Sequence, residues 1–441
     1  MSDRSSHRHH RFTRRTALTG LAGLALAGAG ATTATAATAA TAGTDAYATS
    51  PSPEADARGR GRAIRFATFN ASLNRGTQGA LVKDLSTGDN AQAQNVAEII
   101  QRVNPDVLLI NEFDYDETGE ALRLFLRNYL SVGHNGSTPR RFPYSFTAPV
   151  NTGVASGVDL DGRNGAVTEP GSDAYGQDAY GYGWFPGQYG MAVLSKYPLD
   201  TRAARTFQHF LWKDMPDNAM PEGYYSDEAV AVLRLSSKSH WDLPVRLGPG
   251  WKDTVHFLVS HPTPPTFDGP EDRNGRRNHD EIRFWADYIG GRGRAAYIYD
   301  DRGGRGGLRP DSRFVIAGDL NADPHDGDSY DHAVLQLLDH DAVRLAATPP
   351  SSAGGVEAAQ LQGGANTTHT GNPAYDTADF GDTAPGNLRV DHVIPSKGLV
   401  PGDNGIFWPP STSPLHRLTG DGSTPVPSSD HRMVWQDVYL D

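Results

Sequence analysis

Arg313-Phe314-Val315-Ile316-Ala317-Gly318-Asp319-Leu320-Asn321 is the stretch that decides how this chain is read. Phe314 to Ala317 is an unbroken apolar run of the length of a buried strand, too short for a helix. It passes through one glycine straight into a carboxylate and an amide. In layered α/β folds the C-terminal ends of strands are where ligand-binding groups gather. The stretch therefore predicts a fold class and a site together.

The same pattern recurs on either side. Ile64 to Phe69 alternates apolar and polar residues as a strand does and ends in Asn70; Val107 to Ile110 reads as a buried strand delivering Asn111-Glu112; Thr254 to Ser260 delivers His261. Between them, residues 91 to 103 place Val96, Ile99, Ile100 and Val103 on one helical face, and Asn104-Pro105 stops that helix. A second helix carries Leu122, Phe125, Leu126 and Tyr129, a third carries Ile282, Trp285, Ala286 and Ile289, and a short one lies near Val334 to Leu338. Further strands are predicted at Met191 to Ser195, Ala229 to Leu235, Leu388 to Ile394 and Met433 to Tyr439. Alternating strands and helices make this a mixed α/β chain, one domain over residues 63 to 441. Insertions are predicted near residues 133 to 190 (Gly and aromatic), 290 to 312 (Gly/Arg) and 349 to 387 (Ser/Thr/Gly/Pro loop).

Composition narrows the function. Of 441 residues 37% are hydrophobic and 21% charged, enough for a sizeable core, so gross disorder is excluded; 49 glycines and 30 prolines against five methionines describe a loop-rich chain rather than a helical bundle. The formal charge of -12 disfavours a sequence-blind polyanion binder, which attracts phosphates with excess Lys and Arg. With no cysteine, disulfides, thiolate zinc sites and cysteine nucleophiles are excluded, and any metal must be held by oxygen and imidazole.

Residues 1 to 48 read as an export signal. Arg4, Arg8, Arg11, Arg14 and Arg15 precede an apolar run from Ala17 to Ala31, and Ala46-Tyr47-Ala48 is a cleavage site of the right kind. The run is shorter than the roughly 20 residues a transmembrane helix needs, so no permanent membrane anchor is expected after its removal. Arg14-Arg15 resembles a twin-arginine signal and predicts a secreted protein, exported already folded. Cleavage after residue 48 takes away five arginines and two aspartates and moves the formal charge from -12 to -15. Residues 49 to 62 read as a flexible leader.

Thr68-Phe69-Asn70, Asn111-Glu112, Gly190-Met191-Ala192-Val193-Leu194-Ser195-Lys196-Tyr197-Pro198, Ser260-His261, Gly318-Asp319-Leu320-Asn321, Arg389-Val390-Asp391-His392-Val393 and Ser429-Asp430-His431 resemble, in this order, the successive motifs of the endonuclease/exonuclease/phosphatase family. Asn111 stands where that family usually has Gln. The resemblance implies a four-layer α/β sandwich, two mixed β-sheets face to face and flanked by helices, with strand ends from both sheets meeting at one edge. It also implies phosphoester hydrolysis by water. Glu112 would be the carboxylate ligand of Mg²⁺ (Mn²⁺ or Ca²⁺ being possible), with Asn70 helping through its amide oxygen and Asp430 a further ligand. Asp319 would orient or deprotonate the attacking water, and Asn321 would donate to a phosphoryl oxygen. His431, held by Asp391, would act as general base or stabilise the pentacoordinate phosphorus, with His261 complementing it.

The expected partner is a phosphoester substrate, whether small molecule, lipid or nucleic acid; no obligate protein partner is evident. A metal-dependent phosphoesterase is the first reading, a secreted nuclease using the same site the alternative, and a non-catalytic binding protein a third. Arg273, Arg276 and Arg277 read either as a basic edge able to touch a substrate phosphate or as a solvated loop. Asp159 to Gly165 hints at a calcium loop, although its spacing misses the EF-hand pattern and an Asp/Gly-rich turn is the alternative. Tyr175, Tyr180, Tyr182, Trp184, Phe185 and Tyr189 offer either a surface to stack on bases or meet lipid, or packing for the first insertion.

Overall fold

The computed structural model describes residues 61–163 and 165–440, so the expected export signal and most of the leader lie outside the described residues. The strands are β1 Ile64–Leu73, β2 Val107–Phe113, β3 Tyr144–Phe146, β4 Met191–Ser195, β5 Arg205–Thr206, β6 His240–Arg246, β7 Thr254–Ser260, β8 Arg313–Asp319, β9 Ala378–Asp379, β10 Asn387–Leu388, β11 Asp391–Pro395, β12 Leu399–Ile406 and β13 Val434–Leu440. One six-stranded sheet has the order β12-β13-β1-β2-β4-β3, another of five strands the order β11-β8-β7-β6-β5, and β9 pairs β10 alone. Both large sheets are mixed: β1 runs parallel to β2 and β7 parallel to β8, while the remaining pairings are antiparallel.

Successive side chains of a strand point to opposite faces, and here both faces are apolar. Ile64, Phe66, Val107, Leu109, Met191 and Val193 of the first sheet meet Val255, Phe257, Val259, Val315 and Ala317 of the second in one buried layer. The Phe66 and Phe257 rings lie 5.4 Å apart across it. The alternate residues, Ala67, Phe69, Leu108, Ile110, Ala192 and Leu194, pack instead on the first sheet's helices. Phe314, Ile316 and Leu258 pack on those of the second. Helix, sheet, sheet, helix is thus the four-layer sandwich expected, and each large side chain sealed in a layer contributes about 1.5–3 kcal/mol.

Local chemistry explains the helices. Asn90 caps the helix Ala91–Val103 by accepting the Ala93 N–H at 3.0 Å. Asn104 ends it in a left-handed conformation (φ 55°), which asparagine tolerates. The helix Arg273–Ile289 buries Ile282, Phe284 and Trp285 against the second sheet. No helix among the described residues is long and apolar enough to cross a membrane.

Several expectations are corrected. Ala229 to Leu235, read as a strand, begins as the helix Asp227–Val232, because Ser226 caps it through the Ala229 N–H at 3.1 Å and two acids occupy its first turn. The strand expected over Leu388 to Ile394 is split into β10 and β11 around Arg389 and Val390. The loop over 349 to 387 contains the helix Ala353–Gln362, capped by Ser352. The second helix ends at Phe125 and continues as a π turn over Leu126–Leu130.

The first insertion is built into the domain. β3 adds to the sheet edge beside β4. Asn151 donates from its backbone to the Lys238 carbonyl (2.8 Å) and from its side chain to the Gln208 and Ser236 carbonyls (2.8 and 2.7 Å). Gly181 approaches Ser237 so closely that a Cβ there would sit 1.9 Å from its carbonyl oxygen. Tyr175 and Phe185 are buried, Arg234 lies over the Tyr180 ring at 3.9 Å, and Tyr182 and Trp184 are tied to Asp173. Packing is therefore the outcome for most of the aromatic stretch.

Candidate active site

The apolar layer between the sheets turns polar at one end. Counting by twos from Phe66 along β1 leads to Asn70; from Val315 along β8 leads to Asp319; from Phe257 along β7 leads to His261; and Asp391 shares the face of Val393 on β11. Side-chain parity thus aims these groups into the same gap. Asp391 is also paired directly opposite Asp319 in the β8–β11 register.

Glu112 reaches this gap by a different device. Its parity on β2 would send it to the helix side with Ile110, but its φ is 57° and the β1–β2 register slips between Asn70 and Leu73. Positive φ is uncommon for a residue other than glycine, asparagine or aspartate and marks local strain. The result is a carboxylate that accepts Asn70 Nδ2 on Oε1 (3.1 Å) and Asn74 Nδ2 on Oε2 (2.7 Å).

The remaining distances define one constellation. Asn70 Nδ2 also donates to Asp319 Oδ2 (3.0 Å), while its Oδ1 accepts the Ser72 N–H (3.2 Å). The same Asp319 oxygen lies 3.3 Å from His261 Nε2 and 3.6 Å from His431 Nε2. His431 Nδ1 is 2.9 Å from Asp391 Oδ2, which also accepts the Thr377 hydroxyl at 2.9 Å. Asn321, at φ 50°, donates its backbone N–H to Asp319 Oδ1 (3.0 Å) and its side-chain amide to the Pro262 carbonyl (3.1 Å). Asp430 Oδ1 accepts the Ser72 hydroxyl (3.1 Å), and Ser429 Oγ donates to the Asn70 carbonyl (2.7 Å). The eight residues singled out from the sequence are thus linked at one edge of the two sheets. Ser72, Asn74, Thr377 and Ser429 were not singled out. Ser429 lies inside a quoted motif; the other three have side chains that become site partners only through tertiary placement.

Burial sets the electrostatics. Asp319 would be pushed up by burial, but His431 and His261, with hydrogen bonds from His261 and Asn70, hold it well below the ordinary carboxylate range. His431 would be pushed down by burial, yet Asp391 and Asp319 hold its imidazolium well above the usual histidine value. His261 is pushed down to about 4, by burial first and by the nearby Lys238 charge second. Glu112 is pushed up, chiefly by burial and further by Asp430 and Asp319, with His431 opposing. A cation fits this crowding of buried carboxylates: Asp430 and Asp319 repel Glu112, and ligand atoms of Asp319 and Asp391 lie within 4.8 Å of each other. Asp391 Oδ1 also has no hydrogen-bond partner.

Two further candidates resolve differently. Arg273 pairs with Glu271 (2.5 Å), Arg276 donates to the Glu271 carbonyl (3.2 Å), and buried Arg277 donates to the carbonyls of Leu235, Tyr180 and Arg234 at 2.8, 2.5 and 2.9 Å. The three arginines belong to the first turns of a helix and are committed to intramolecular partners, so neither the basic edge nor the solvated loop describes them. The Asp159 carboxylate closes its own turn through the N–H groups of Gly162 (2.7 Å) and Gly165 (2.9 Å), and Asp178 accepts from Leu160 and Val167. That is the hydrogen bonding of an Asp/Gly-rich turn, and ligand atoms of Asp159, Asp161 and Asp178 also lie within 4.8 Å of one another, as a calcium loop requires.

Comparison with known proteins places the chain. The profile described as the Endonuclease/Exonuclease/phosphatase family matches residues 67–431, more than half of the sequence. No curated protein matches the sequence. Solved structures similar to it include an endonuclease/exonuclease/phosphatase from Beutenbergia cavernae, 16% identical over 86% of this chain and 72% of that one (TM-score 0.45). Sphingomyelinase C from Streptomyces griseocarneus is 15% identical over 85% of this chain and 99% of its own (TM-score 0.40). The human Nocturnin catalytic domain is 13% identical over 86% and 94% (TM-score 0.43). On the span of the family match, with the two-sheet sandwich beneath it, the chain belongs to the endonuclease/exonuclease/phosphatase family.

Proposed function

We propose that this protein is an exported phosphoesterase, dependent on a divalent cation, that opens phosphodiester or phosphomonoester bonds by water attack, with Mg²⁺ as its ion and a small or lipid-borne ester as substrate. The observation that carries the reading is the Asp319 carboxylate, buried within 3.3 and 3.6 Å of two histidines, one of them backed by Asp391 at 2.9 Å. Export is supported by the arginine-led apolar segment of residues 1 to 48.

Glu112 and Asp430 would hold the cation; the Asn70 amide, expected to ligate through its oxygen, instead turns Nδ2 toward Glu112 and steadies that carboxylate. Such an ion supplies Lewis-acid stabilisation to charge developing on the phosphoryl oxygens. The chain's own residues do the rest. Asp319, kept ionised, accepts a hydrogen bond from the attacking water and aims it in line with the leaving group. His431, kept positive by Asp391 and Asp319, stabilises the added negative charge of the pentacoordinate phosphorus. His261, buried and neutral, orients Asp319 through Nε2.

The substrate class is supported by charge. The chain carries -12, the arginines nearest to forming a basic edge are committed elsewhere, and Asp272 is pushed up by burial and by the crowding of Asp268 and Asp328. An extended polyanion needs many cationic contacts, a small ester few. The test is a panel of supercoiled plasmid, RNA, sphingomyelin vesicles, phosphoinositides and bis(p-nitrophenyl) phosphate, each with Mg²⁺, Mn²⁺ and Ca²⁺. Plasmid nicking lost in His431→Ala would install the nuclease alternative. Glu112→Gln should lose activity at limiting Mg²⁺ and regain part of it at high Mg²⁺; full activity in chelator would overturn the metal assignment.

A further inference from the structure

Lys238 lies in the polar run Ser236-Ser237-Lys238-Ser239, which has no motif character, yet it is only 6% exposed. The run leads into β6, whose first residue, His240, is paired with Ser260 of β7. Residues just before His240 therefore flank those just after Ser260, and Ser237 Oγ reaches the His261 carbonyl at 3.5 Å. The segment is held from every side. Asn151 takes the Lys238 carbonyl, Arg277 the Leu235 carbonyl, Glu281 the Ser237 N–H (2.7 Å), and Gly181 packs against the Ser237 backbone.

So much anchoring fixes a side chain that has no hydrogen-bonding duty of its own. Among the described residues no hydrogen bond or ion pair uses the Lys238 ammonium. The opposite charge acting on it most strongly, Glu281, is fully buried and spends its two oxygens on the N–H groups of Ser237 and Thr263 (2.7 and 2.6 Å). The charges that act on Lys238 after Glu281 are those of Glu112 and Asp319, and its own charge acts on His261 alongside that of Asp319. A cation carried on a buried side chain without a protein partner is costly to maintain unless something arrives to pair with it.

We propose that Lys238 is a catalytic residue of the site: its ammonium donates hydrogen bonds to the non-bridging oxygens of the substrate's phosphoryl group, opposite His431. The inference rests on the phosphoesterase reading and extends it with a residue outside every motif of the resemblance. Burial pulls the ammonium below the ordinary lysine value and Glu281, Glu112 and Asp319 pull it back. An arriving phosphoester adds negative charge in the same place and holds the proton on. No bond is made or broken at Lys238; it compensates charge that grows in the transition state.

The test uses the full chain and three readouts. Hydrolysis of bis(p-nitrophenyl) phosphate by the wild type carries the phosphoesterase reading; a wild type inactive with every ion would sink that reading while leaving the next measurement to judge Lys238. That measurement is the affinity for inorganic phosphate by titration calorimetry, expected to weaken about tenfold or more in Lys238→Met. In the active enzyme the same change should cut kcat about 10²- to 10³-fold with a smaller effect on KM, and Lys238→Arg should recover part of it. Wild-type phosphate affinity and kcat in folded Lys238→Met would overturn the proposal. Should that variant fail to fold, the ammonium resonance of Lys238 in the wild type decides: a shift on adding phosphate supports the contact, and an unmoved resonance refutes it.

Discussion

Replacing Asp391 by Asn is the sharpest probe of how the site is wired. The change keeps the shape, keeps an oxygen for the Thr377 hydroxyl, and removes one negative charge 2.9 Å from His431 Nδ1. A buried hydrogen bond to a charged group is worth about 1.5–3 kcal/mol. At about 1.4 kcal/mol per tenfold in rate, kcat should fall about 10- to 150-fold. The loss is bounded because Asp319 remains 3.6 Å from the other ring nitrogen. The sign of the pH effect follows from the same geometry. Asp391 and Asp319 hold His431 protonated well above the ordinary histidine value, so losing one of them lowers that value. The alkaline limb of the kcat profile, where His431 gives up its proton, should move to lower pH. The assay is release of p-nitrophenol at saturating ester by wild type, Asp391→Asn, His431→Ala and the double variant, with melting by circular dichroism alongside. If the two residues act as one unit, the double variant is scarcely worse than His431→Ala. Multiplicative losses, or a pH profile that does not move, would refute the pairing.

Two further outcomes bear on stability. Arg277→Ala strips a donor from three carbonyls and should cost about 3 kcal/mol in urea unfolding, whereas Arg273→Ala, which loses a rim ion pair to Glu271, should cost about 0.5–1 kcal/mol; the reverse order would contradict the committed role of Arg277. Asp376 is pushed up to about 8, by burial first and then by Asp323 and Asp326, so the folded state keeps its proton more tightly than the unfolded chain. Stability should decline as pH rises from about 4 through about 8. Asp376→Asn should flatten that decline and raise the melting point at pH 8, and an unchanged slope would discount the residue.

The sequence exposed those parts of the fold in which local pattern and tertiary role agree. β4, β7 and the helix Ala91–Val103 begin and end where the apolar rhythm says, because each lies between covered faces or carries its own cap. It concealed β6 and β12. β6 carries Asp242 among its buried residues, which survives there only because His256 and the Tyr288 hydroxyl reach it at 2.7 and 2.6 Å. β12 contains Pro401 and Gly402, acceptable because it is an edge strand, a fact visible only once the sheet order is known. At the site, the groups with chemistry at strand ends were legible. The backbone turn that swings Glu112 across its sheet, and the lysine carried in by a polar run, were not, since neither leaves a periodic trace.

The sheet order has a consequence for how the protein comes into being. β13, at Val434–Leu440, lies between β12 and β1, and it seals Asp437 against Arg65 at 2.7 Å. The opening strand of the domain therefore waits with a bare edge while the chain emerges from the ribosome, until β13 is free to dock. Long-range closure of this kind is slow and leaves an aggregation-prone intermediate. Loss of β13 would leave that intermediate as the end state. Folding of the first sheet must accordingly follow the emergence of β13, and the polar edge joining Asn70 to His431 through Asp319 forms only after it.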